Sequence, residues 1–304
     1  MENTWFLIAN PRSGKGKLQK EKAKVQFWLK EAGIAYEWHF TEYQEHASLL
    51  AKQAADNGFT HFISAGGDGT LHEVVNGLML SNPQKEFTVG LIPVGTGNDW
   101  AKSFHYPVNT EKAIQKIREG NSLLHDIGKV TLQTDQGEAT KYFINIAGLC
   151  YDAYVTRATN IGKARGEGGK FYYLKTILAN LFSYTNTLVT YSVDGKEFSG
   201  SMFNLCVGIN RFNGDGVQQC PYAKPDDGLF DISAYTDFTK LQVISNLPHL
   251  KTGAFVKHPK MRIHTGKVVR VSSVPEVLVE ADGEDLGRTP AEFSILPRSI
   301  RMVV

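Results

Sequence analysis

The chain has 304 residues, 42% apolar and 21% charged, with a formal net charge of +2. That is enough apolar material for a sizeable core and enough length to favour two domains; it excludes a disordered chain. A charge so close to balance excludes a general nucleic-acid binder. Cys150, Cys206 and Cys220 are odd in number and show no CxxC spacing, which excludes a disulfide framework or a cysteine zinc site. The start, MENTWFLIANP, lacks the basic and apolar regions of a signal peptide, and no run approaches the roughly 18 apolar residues of a membrane span. The expectation is a soluble, cytoplasmic chain, with contact at a membrane surface left open.

The first 120 residues alternate between strand and helix signals. An apolar run at 5–9 is followed by helical spacing over 18–32, where Leu18, Val25, Trp28 and Leu29 share a face and Gly33 stops the helix. Residues 34–40 read as a strand, 46–57 as a helix, 59–65 as a strand, 71–80 as a helix and 87–94 as a strand. Thr110 is expected to cap a helix ending at Gly120. This alternation implies a parallel sheet covered on both faces. Beyond about residue 127 the pattern turns antiparallel. Runs at 129–134 and 141–147 flank DQGE, and runs at 188–193 and 198–209 flank Asp194-Gly195, a hairpin signal. Further strands are expected at 229–235, 267–273 and 277–281, with helices near 170–184 and 239–256. The domains are therefore 1–127, a nucleotide-binding α/β domain, and 128–304, a β-rich substrate or lid domain. In this reading the segment from about 292 to 304 returns to the first domain.

Three unusual loops follow strands of the parallel sheet: NPRSGKGK at 10–17, GGDGT at 66–70 and PVGTGND at 93–99. Ligands of such sheets bind beyond the carboxyl ends of the strands. Each loop is expected to open a helix and so to offer N–H groups and a positive helix end to an anion. Glycine admits a phosphate to the main chain, and Ser13, Thr70 and Thr96 add hydroxyl donors. One loop of this kind is commonly an ordinary βα turn; three on one edge point to a phosphate-bearing ligand. Neither GxxxxGK[ST] nor GxGxxG occurs, which disfavours a P-loop NTPase and a dinucleotide reductase.

Together NPRSG, GGDGTLHEVVNGL and PVGTGNDWA resemble the diacylglycerol kinase catalytic family, in its bacterial soluble lipid kinase branch, which is also similar to sphingosine and ceramide kinases. Through GGDGT the likeness reaches NAD kinases and phosphofructokinases. The resemblance implies an ATP- and Mg²⁺-dependent lipid kinase, with diacylglycerol as the first acceptor to consider, a membrane surface as transient partner and a homodimer as an unsurprising state. Carried over, the ATP site comprises Asn10, Pro11, Arg12, Ser13, Gly14, Thr41, Gly66, Gly67, Asp68, Gly69, Thr70, Leu71, His72 and Thr96. Thr41 reads equally well as a plain helix N-cap. A kinase of NAD, or of a sphingoid or other small molecule, is the alternative. A nucleotide sensor without catalysis ranks last, because Asp68 and Glu284 are both present.

The same resemblance assigns carboxylates in the second half. Asp126 of DIGKV joins Asp68 in a metal network, and Glu284 of VEADGED is the general base, although ADGED is also a good hairpin turn. AKPDDGLFDI is similar to a structural Mg²⁺ site, with Asp227 and the carbonyls of Lys224 and Leu229 as ligands; a type I turn is the alternative. Lys224 departs from the small polar residue expected there, and a nearby ammonium weakens a cation site. Lys163, Arg165 and Lys170 lie among Gly162, Gly166, Gly168 and Gly169 and lead into FYYLKTILANLF at 171–182. That stretch either lines an acyl-chain cleft or membrane contact, or is core. His39, His61 and His105 read as ordinary residues.

Overall fold

Short apolar runs form the sheet of the first unit: β1 (Trp5–Ala9), β2 (Tyr36–Phe40), β3 (His61–Gly66) and β4 (Thr88–Pro93). The computed structural model describes residues 4–165, 167 and 170–304. It divides into one unit of Met1–Ile127 with Leu296–Val304 and a second of Gly128–Ile295. In the first, the strands pair parallel in the order β2-β1-β3-β4, and Arg301 and Met302 of the returning C-terminus pair parallel with Thr88 and Val89.

Six helices connect these strands: α1 (Ser13–Lys20), α2 (Lys22–Glu31), α3 (His46–Asp56), α4 (Asp68–Ser81), α5 (Asp99–Ser103) and α6 (Thr110–Glu119). Leu7, Ala9, Ile63, Ala65 and Ile92 pack with Leu18, Val25, Leu29, Ile114 and Ile117 on one face. Each fully buried Leu or Ile contributes about 1.5–3 kcal/mol. The apolar face of α4 carries the buried Val74, Val75 and Leu78. The expected helix over 18–32 is split in two at Glu21, and α6 is capped by Asn109, whose side chain accepts the Lys112 N–H, rather than by Thr110.

The second unit runs β5 (Ser122–Thr134), β6 (Gly137–Phe143), β7 (Ile146–Cys150), α7 (Tyr151–Ala164), α8 (Lys170–Ser183), β8 (Thr187–Val193), β9 (Lys196–Gly208), β10 (Phe212–Asn213), β11 (Val217–Gln218), β12 (Phe230–Thr236), α9 (Lys240–Leu250), β13 (Met261–Gly266), β14 (Val268–Ser273), β15 (Leu278–Ala281) and β16 (Glu284–Val303). Its pairings are antiparallel, and β8-β9-β7-β15-β16-β14 closes back on β8. Two long strands make the corners. β9 pairs β8 over 196–202 and β7 over 204–208; β16 pairs β15 over 284–288 and β14 over 291–294. Val189, Leu205, Val207, Val279 and Phe293 fill the interior. Asp194 (φ 47°) and Gly195 (φ 86°) turn β8 into β9, as a DG pair does in a type I′ hairpin. Helix α7, which the sequence reading passed over, packs with α8 on a second core of Tyr151, Val155, Leu181, Phe203 and Cys206.

Candidate functional site

Parallel pairing sends the loops after β1, β2, β3 and β4 to one edge of the first unit. There the main chains touch. Val94 and Gly95 donate their N–H groups to Gly66 O at 2.7 and 3.2 Å, and Asn10 donates to Ala65 O at 3.0 Å. A Cβ on Gly95 would lie 2.5 Å from Gly67 Cα, and one on Gly14 would lie 2.6 Å from Val94 O. Each of the three loops thus has a glycine that close approach requires, among them Gly14, Gly67 and Gly95, whereas Gly16 meets nothing within 4 Å. Gly14, Lys15 and Gly16 all have positive φ (61°, 59° and 79°), so the first turn of α1 is left-handed and not a regular helix start. For Lys15 that conformation costs free energy, and such strain concentrates at ligand sites.

Asn10 Nδ2 donates to Thr70 Oγ1 at 3.4 Å, and its Oδ1 accepts the Arg12 N–H. Pro11, Arg12, Ser13 and Gly14 follow on the same loop. Gly66, Gly67, Asp68 and Gly69 lead into α4, with Gly67 as its extended N-cap. Leu71 and His72 are buried, and Asn76 donates to His72 O at 2.9 Å. Thr41 donates its N–H to Ala9 O. The N-cap reading of Thr41 is overturned, because α3 begins at His46 with Glu45 as cap. Thr96 is exposed at the tip of the third loop.

Asp68 holds this edge together. Its Oδ1 accepts the N–H groups of Asp99 at 2.7 Å and Trp100 at 3.3 Å. Those are the first amides of α5, so the third loop does not offer its helix start to an outside anion, contrary to expectation: an internal carboxylate already occupies it. Asp68 Oδ2 and Asp99 Oδ2 lie 3.0 and 3.5 Å from where a Gly97 Cβ would sit. Two hard oxygen donors therefore face one point, a donor set that suits Mg²⁺ together with phosphate oxygens and water. Lys102 pairs with Asp99 Oδ1 at 3.2 Å. Asn98 Oδ1 is buried without a hydrogen-bond partner among the described residues, an unmet acceptor that fits a donor group on a ligand. Asp126 is fully buried, and its Oδ1 accepts the Arg298 N–H at 2.7 Å.

Glu284 belongs to the second unit. Asp282 (φ 52°) and Gly283 (φ 85°) form the turn between β15 and β16, with Ala281 opposite Glu284. The turn is tied down on several sides. Asp282 accepts the N–H of Ile144 on Oδ2 and those of Asn145 and Ile146 on Oδ1, at 2.9–3.3 Å. Gly283 donates its N–H to Glu280 Oε2 at 2.9 Å, and its carbonyl accepts from Asn160 at 3.3 Å. Arg157 pairs with Asp285 at 2.6 Å. Two of these partners, Arg157 and Asn160, stand on α7.

At the other candidate metal segment, Asp227 Oδ1 accepts the Leu229 N–H at 3.0 Å and Gly228 has φ 74°. Burial and the neighbouring charge of Asp227 push the Asp231 carboxyl up to about 6, against the pull of Lys224 and Arg211. A cation would relieve the crowding of Asp227 and Asp231, while Lys224 and Arg211 already supply part of that relief. Among the described residues no three His, Cys, Asp or Glu side chains gather as a metal cluster. In the basic loop, Gly166, Gly168 and Gly169, and the side chains of Lys170, Phe171, Tyr173 and Leu174, lie outside the described residues. Lys163 pairs with Asn160 Oδ1 at 3.2 Å, and Arg165 is exposed. His39 stacks on Phe6, and His61 meets Trp5 edge-on.

Comparison with known proteins supplies a family for this geometry. Residues 4–130 match the diacylglycerol kinase catalytic domain, and residues 145–304 match the YegS C-terminal NAD kinase beta sandwich-like domain. The diacylglycerol kinase of Staphylococcus carnosus (strain TM300) is 31% identical over 300 residues, which is 97% of this chain and 93% of that one. The chain belongs to the diacylglycerol kinase family. A second relative, the diacylglycerol kinase of Staphylococcus aureus (strain bovine RF122 / ET3-1), is 32% identical over 303 residues, 97% of this chain and 90% of that one. A solved diacylglycerol kinase of Bacillus anthracis str. Sterne shares the fold with a TM-score of 0.74, at 21% identity over 99% of this chain and 96% of that one. Yeast NADH kinase, solved with NADH, shares it more loosely, with a TM-score of 0.54 at 12% identity over 99% of this chain and 83% of that one. The chain is accordingly a kinase, built of an α/β unit and a β-rich unit.

Three residues at these two places went unremarked in the sequence. Asn98 and Asp99 stood inside the quoted PVGTGND, but only Thr96 was singled out. Asp282, inside VEADGED, was read as a turn former and not as the residue that anchors the turn. The signal for Asp99 was present: an acidic residue in the first turn of a helix is favoured there.

Proposed function

We propose that this kinase transfers the γ-phosphoryl group of ATP to the hydroxyl of a diacylglycerol-like lipid, with Mg²⁺. ATP as donor is supported by the glycine-lined edge, the left-handed turn at Gly14–Gly16 and the unmet acceptor of Asn98. Asp68 and Asp99 would hold Mg²⁺ together with phosphate oxygens and water, and the ion would supply charge neutralisation at the phosphates. Asp126, whose Oδ1 accepts the Arg298 N–H, would join this metal network, as the family resemblance implies. The lipid hydroxyl oxygen bonds to the γ-phosphorus, the bond from that phosphorus to the bridging oxygen breaks, and the hydroxyl proton passes to Glu284. A neutral hydroxyl is a poor nucleophile, and a fixed carboxylate that accepts its proton as the new bond forms helps the transfer. The observation that carries this reading is the anchored Asp282-Gly283 turn delivering Glu284 in a chain whose relatives are named diacylglycerol kinases.

A membrane surface fits as the transient partner. Phe182 on α8 and Leu241 on α9 are 64% and 78% exposed, with Leu178 and Ile244 also open, while Ile177, Leu181, Val243 and Leu250 on the same helices pack inward. The Lys240 ammonium donates to Phe182 O, joining the two helices. Residues 238–275 contain seven Lys or Arg and no Asp or Glu. Apolar side chains within so uniformly basic a stretch complement an anionic bilayer.

The test is transfer from γ-labelled ATP to lipids in mixed micelles, with sphingosine and NAD alongside. Label is expected on diacylglycerol, and Glu284→Gln is expected to lower kcat by about 10²–10⁴-fold with an unchanged melting temperature. A fully active Glu284→Gln enzyme removes Glu284 as the base, and label on NAD alone removes the lipid acceptor.

A further inference from the structure

The turn that carries Glu284 rests on a second pair of carboxyl groups. Glu280, on β15 and fully buried, accepts the Gly283 N–H on Oε2 and the Asn213 amide on Oε1 at 3.2 Å. Asn213 Nδ2 also donates to Gln219 Oε1 at 3.2 Å, and Gln219 Nε2 donates to Asp152 Oδ2 at 2.6 Å. Asp152, at the start of α7, donates its own N–H to Asn204 Oδ1 on β9 at 3.0 Å. The two carboxyl groups also face the same point beside Gly148. A Cβ there would lie 2.6 Å from Glu280 Oε1 and 2.7 Å from Asp152 Oδ2, so only glycine leaves room for both. The polar chain runs from α7 through Gln219 and Asn213 to the Gly283 amide, one residue before Glu284.

We propose that Glu280 and Asp152 are positioning residues, a linked carboxyl pair that holds the Asp282-Gly283 turn and so fixes the place of Glu284. The role of Glu284 rests on the proposed function; the hold on the turn does not. Two buried carboxyl groups this close do not both ionise readily. Burial first, and the charge of Asp152 next, push Glu280 well above the usual carboxylate range, and burial raises Asp152 too. The surrounding titratable groups are Asp282 in the turn, Cys206 on β9, Cys220 after β11, Tyr151 on α7 and Tyr235 on β12, and burial pushes both thiols and both phenols up. The sign follows from the raised values. A proton held by the pair supports the turn fully at pH below the ordinary carboxylate range, and that support is lost as pH rises through the raised titration.

The experiment uses the full chain and three variants. Glu280→Leu removes the acceptor of the Gly283 N–H, Glu280→Gln keeps an acceptor without a second charge, and Asn213→Ala cuts the chain with a smaller cavity. Amide exchange by mass spectrometry reads the peptide over 278–290, and phosphoryl transfer to diacylglycerol reads kcat, KM for ATP and the pH profile. In Glu280→Leu, exchange over the turn is expected to rise about tenfold or more. Its kcat is expected to fall about 10–100-fold with KM for ATP held within about twofold, since a slight misplacement of a reacting group is costly. Asn213→Ala shifts both in the same direction by less, and Glu280→Gln stays within about fivefold of wild type while losing the part of the decline with rising pH that the pair causes. Wild-type exchange over the turn in both Glu280→Leu and Asn213→Ala overturns the proposal. So does a Glu280→Gln variant as impaired as Glu280→Leu. If Glu284→Gln is fully active, the base assignment fails by itself, and the exchange data still decide whether the pair holds the turn.

Discussion

The two units place their acidic residues in opposite ways. At the edge of the first unit the motif's own aspartate is the clamp: Asp68 accepts the opening amides of α5 and ties the second loop to the third. In the second unit the clamp and the presented carboxylate are different residues. Asp282 takes three main-chain amides from 144–146, and Glu284, partly exposed, comes two positions later. The first arrangement couples charge and loop shape in one side chain, so the two cannot be altered separately by deletion. The second separates them, so Glu284 can change without loss of the turn.

Asp68 tests that comparison with the largest effect. Asp68→Ala removes both the charge and the cap, whereas Asp68→Asn keeps an oxygen for the Asp99 and Trp100 amides. Alanine is expected to cost about 1.5–3 kcal/mol of stability, the scale of hydrogen bonds to a charged group, and asparagine less than half of that. Thermal melting measures the difference. Phosphoryl transfer is expected to fall by about 10²-fold or more in both variants, because both lose the negative charge. An unshifted melting temperature in Asp68→Ala would break the comparison, and a fully active Asp68→Asn would reduce Asp68 to a clamp alone.

Gly95 gives the next largest effect. Its Cβ would lie 2.5 Å from Gly67 Cα and 2.8 Å from Asn98 Oδ1. Overpacking of this kind costs about 1–3 kcal/mol. Gly95→Ala is therefore expected to raise KM for ATP about tenfold while kcat changes less. Gly200→Ala, whose Cβ meets only Thr236 Cγ2 at 3.7 Å, should leave both constants as they are. If the two variants behave alike, the first unit's edge does not depend on backbone contact.

How much of this was legible in the sequence follows from the same contrast. Backbone-built features announce themselves, because glycine is the residue that close approach demands. GGDGT and PVGTGND marked loops whose main chains come close together, and Asp194-Gly195 marked a hairpin, all from composition and spacing. Features built by side chains from distant segments do not. Asp282 and Ile144 are 138 residues apart, as Arg157 and Asp285 are 128 apart, and no local pattern links them. Helix α7 escaped because its apolar face, Tyr151, Val155 and the buried Thr159, is sparse and follows a strand without a polar cap or a break. The left-handed turn at Gly14–Gly16 escaped for a related reason. A basic, glycine-spaced run reads as a helix start until the approach of Val94 to Gly14 shows why it cannot be one.

The smallest expected effect separates the surfaces of the two units. The first unit also exposes an aromatic ring on a basic helix, Phe27 on α2 beside Lys24 and Lys30, and it is 54% open. That helix also carries Glu31, and of its other large apolar residues Val25 and Leu29 are buried in the core and Trp28 packs partly buried against it. The exposed residues of α8 and α9, by contrast, come in pairs on acid-free helices. Full burial of a Leu or Phe side chain is worth about 1.5–3 kcal/mol, so partial immersion in a bilayer interface is worth about 1 kcal/mol each. Leu241→Ser and Phe182→Ser are each expected to weaken sedimentation with anionic vesicles by about fivefold, and the effect should shrink on neutral vesicles and in high salt as the lysines are screened. Phe27→Ser is expected to change nothing. Equal losses from Phe27→Ser and Leu241→Ser would show that general basic charge, spread over both units, brings the protein to lipid. Losses confined to α8 and α9 would show instead that the unit bearing Glu284 is also the one that meets the lipid surface.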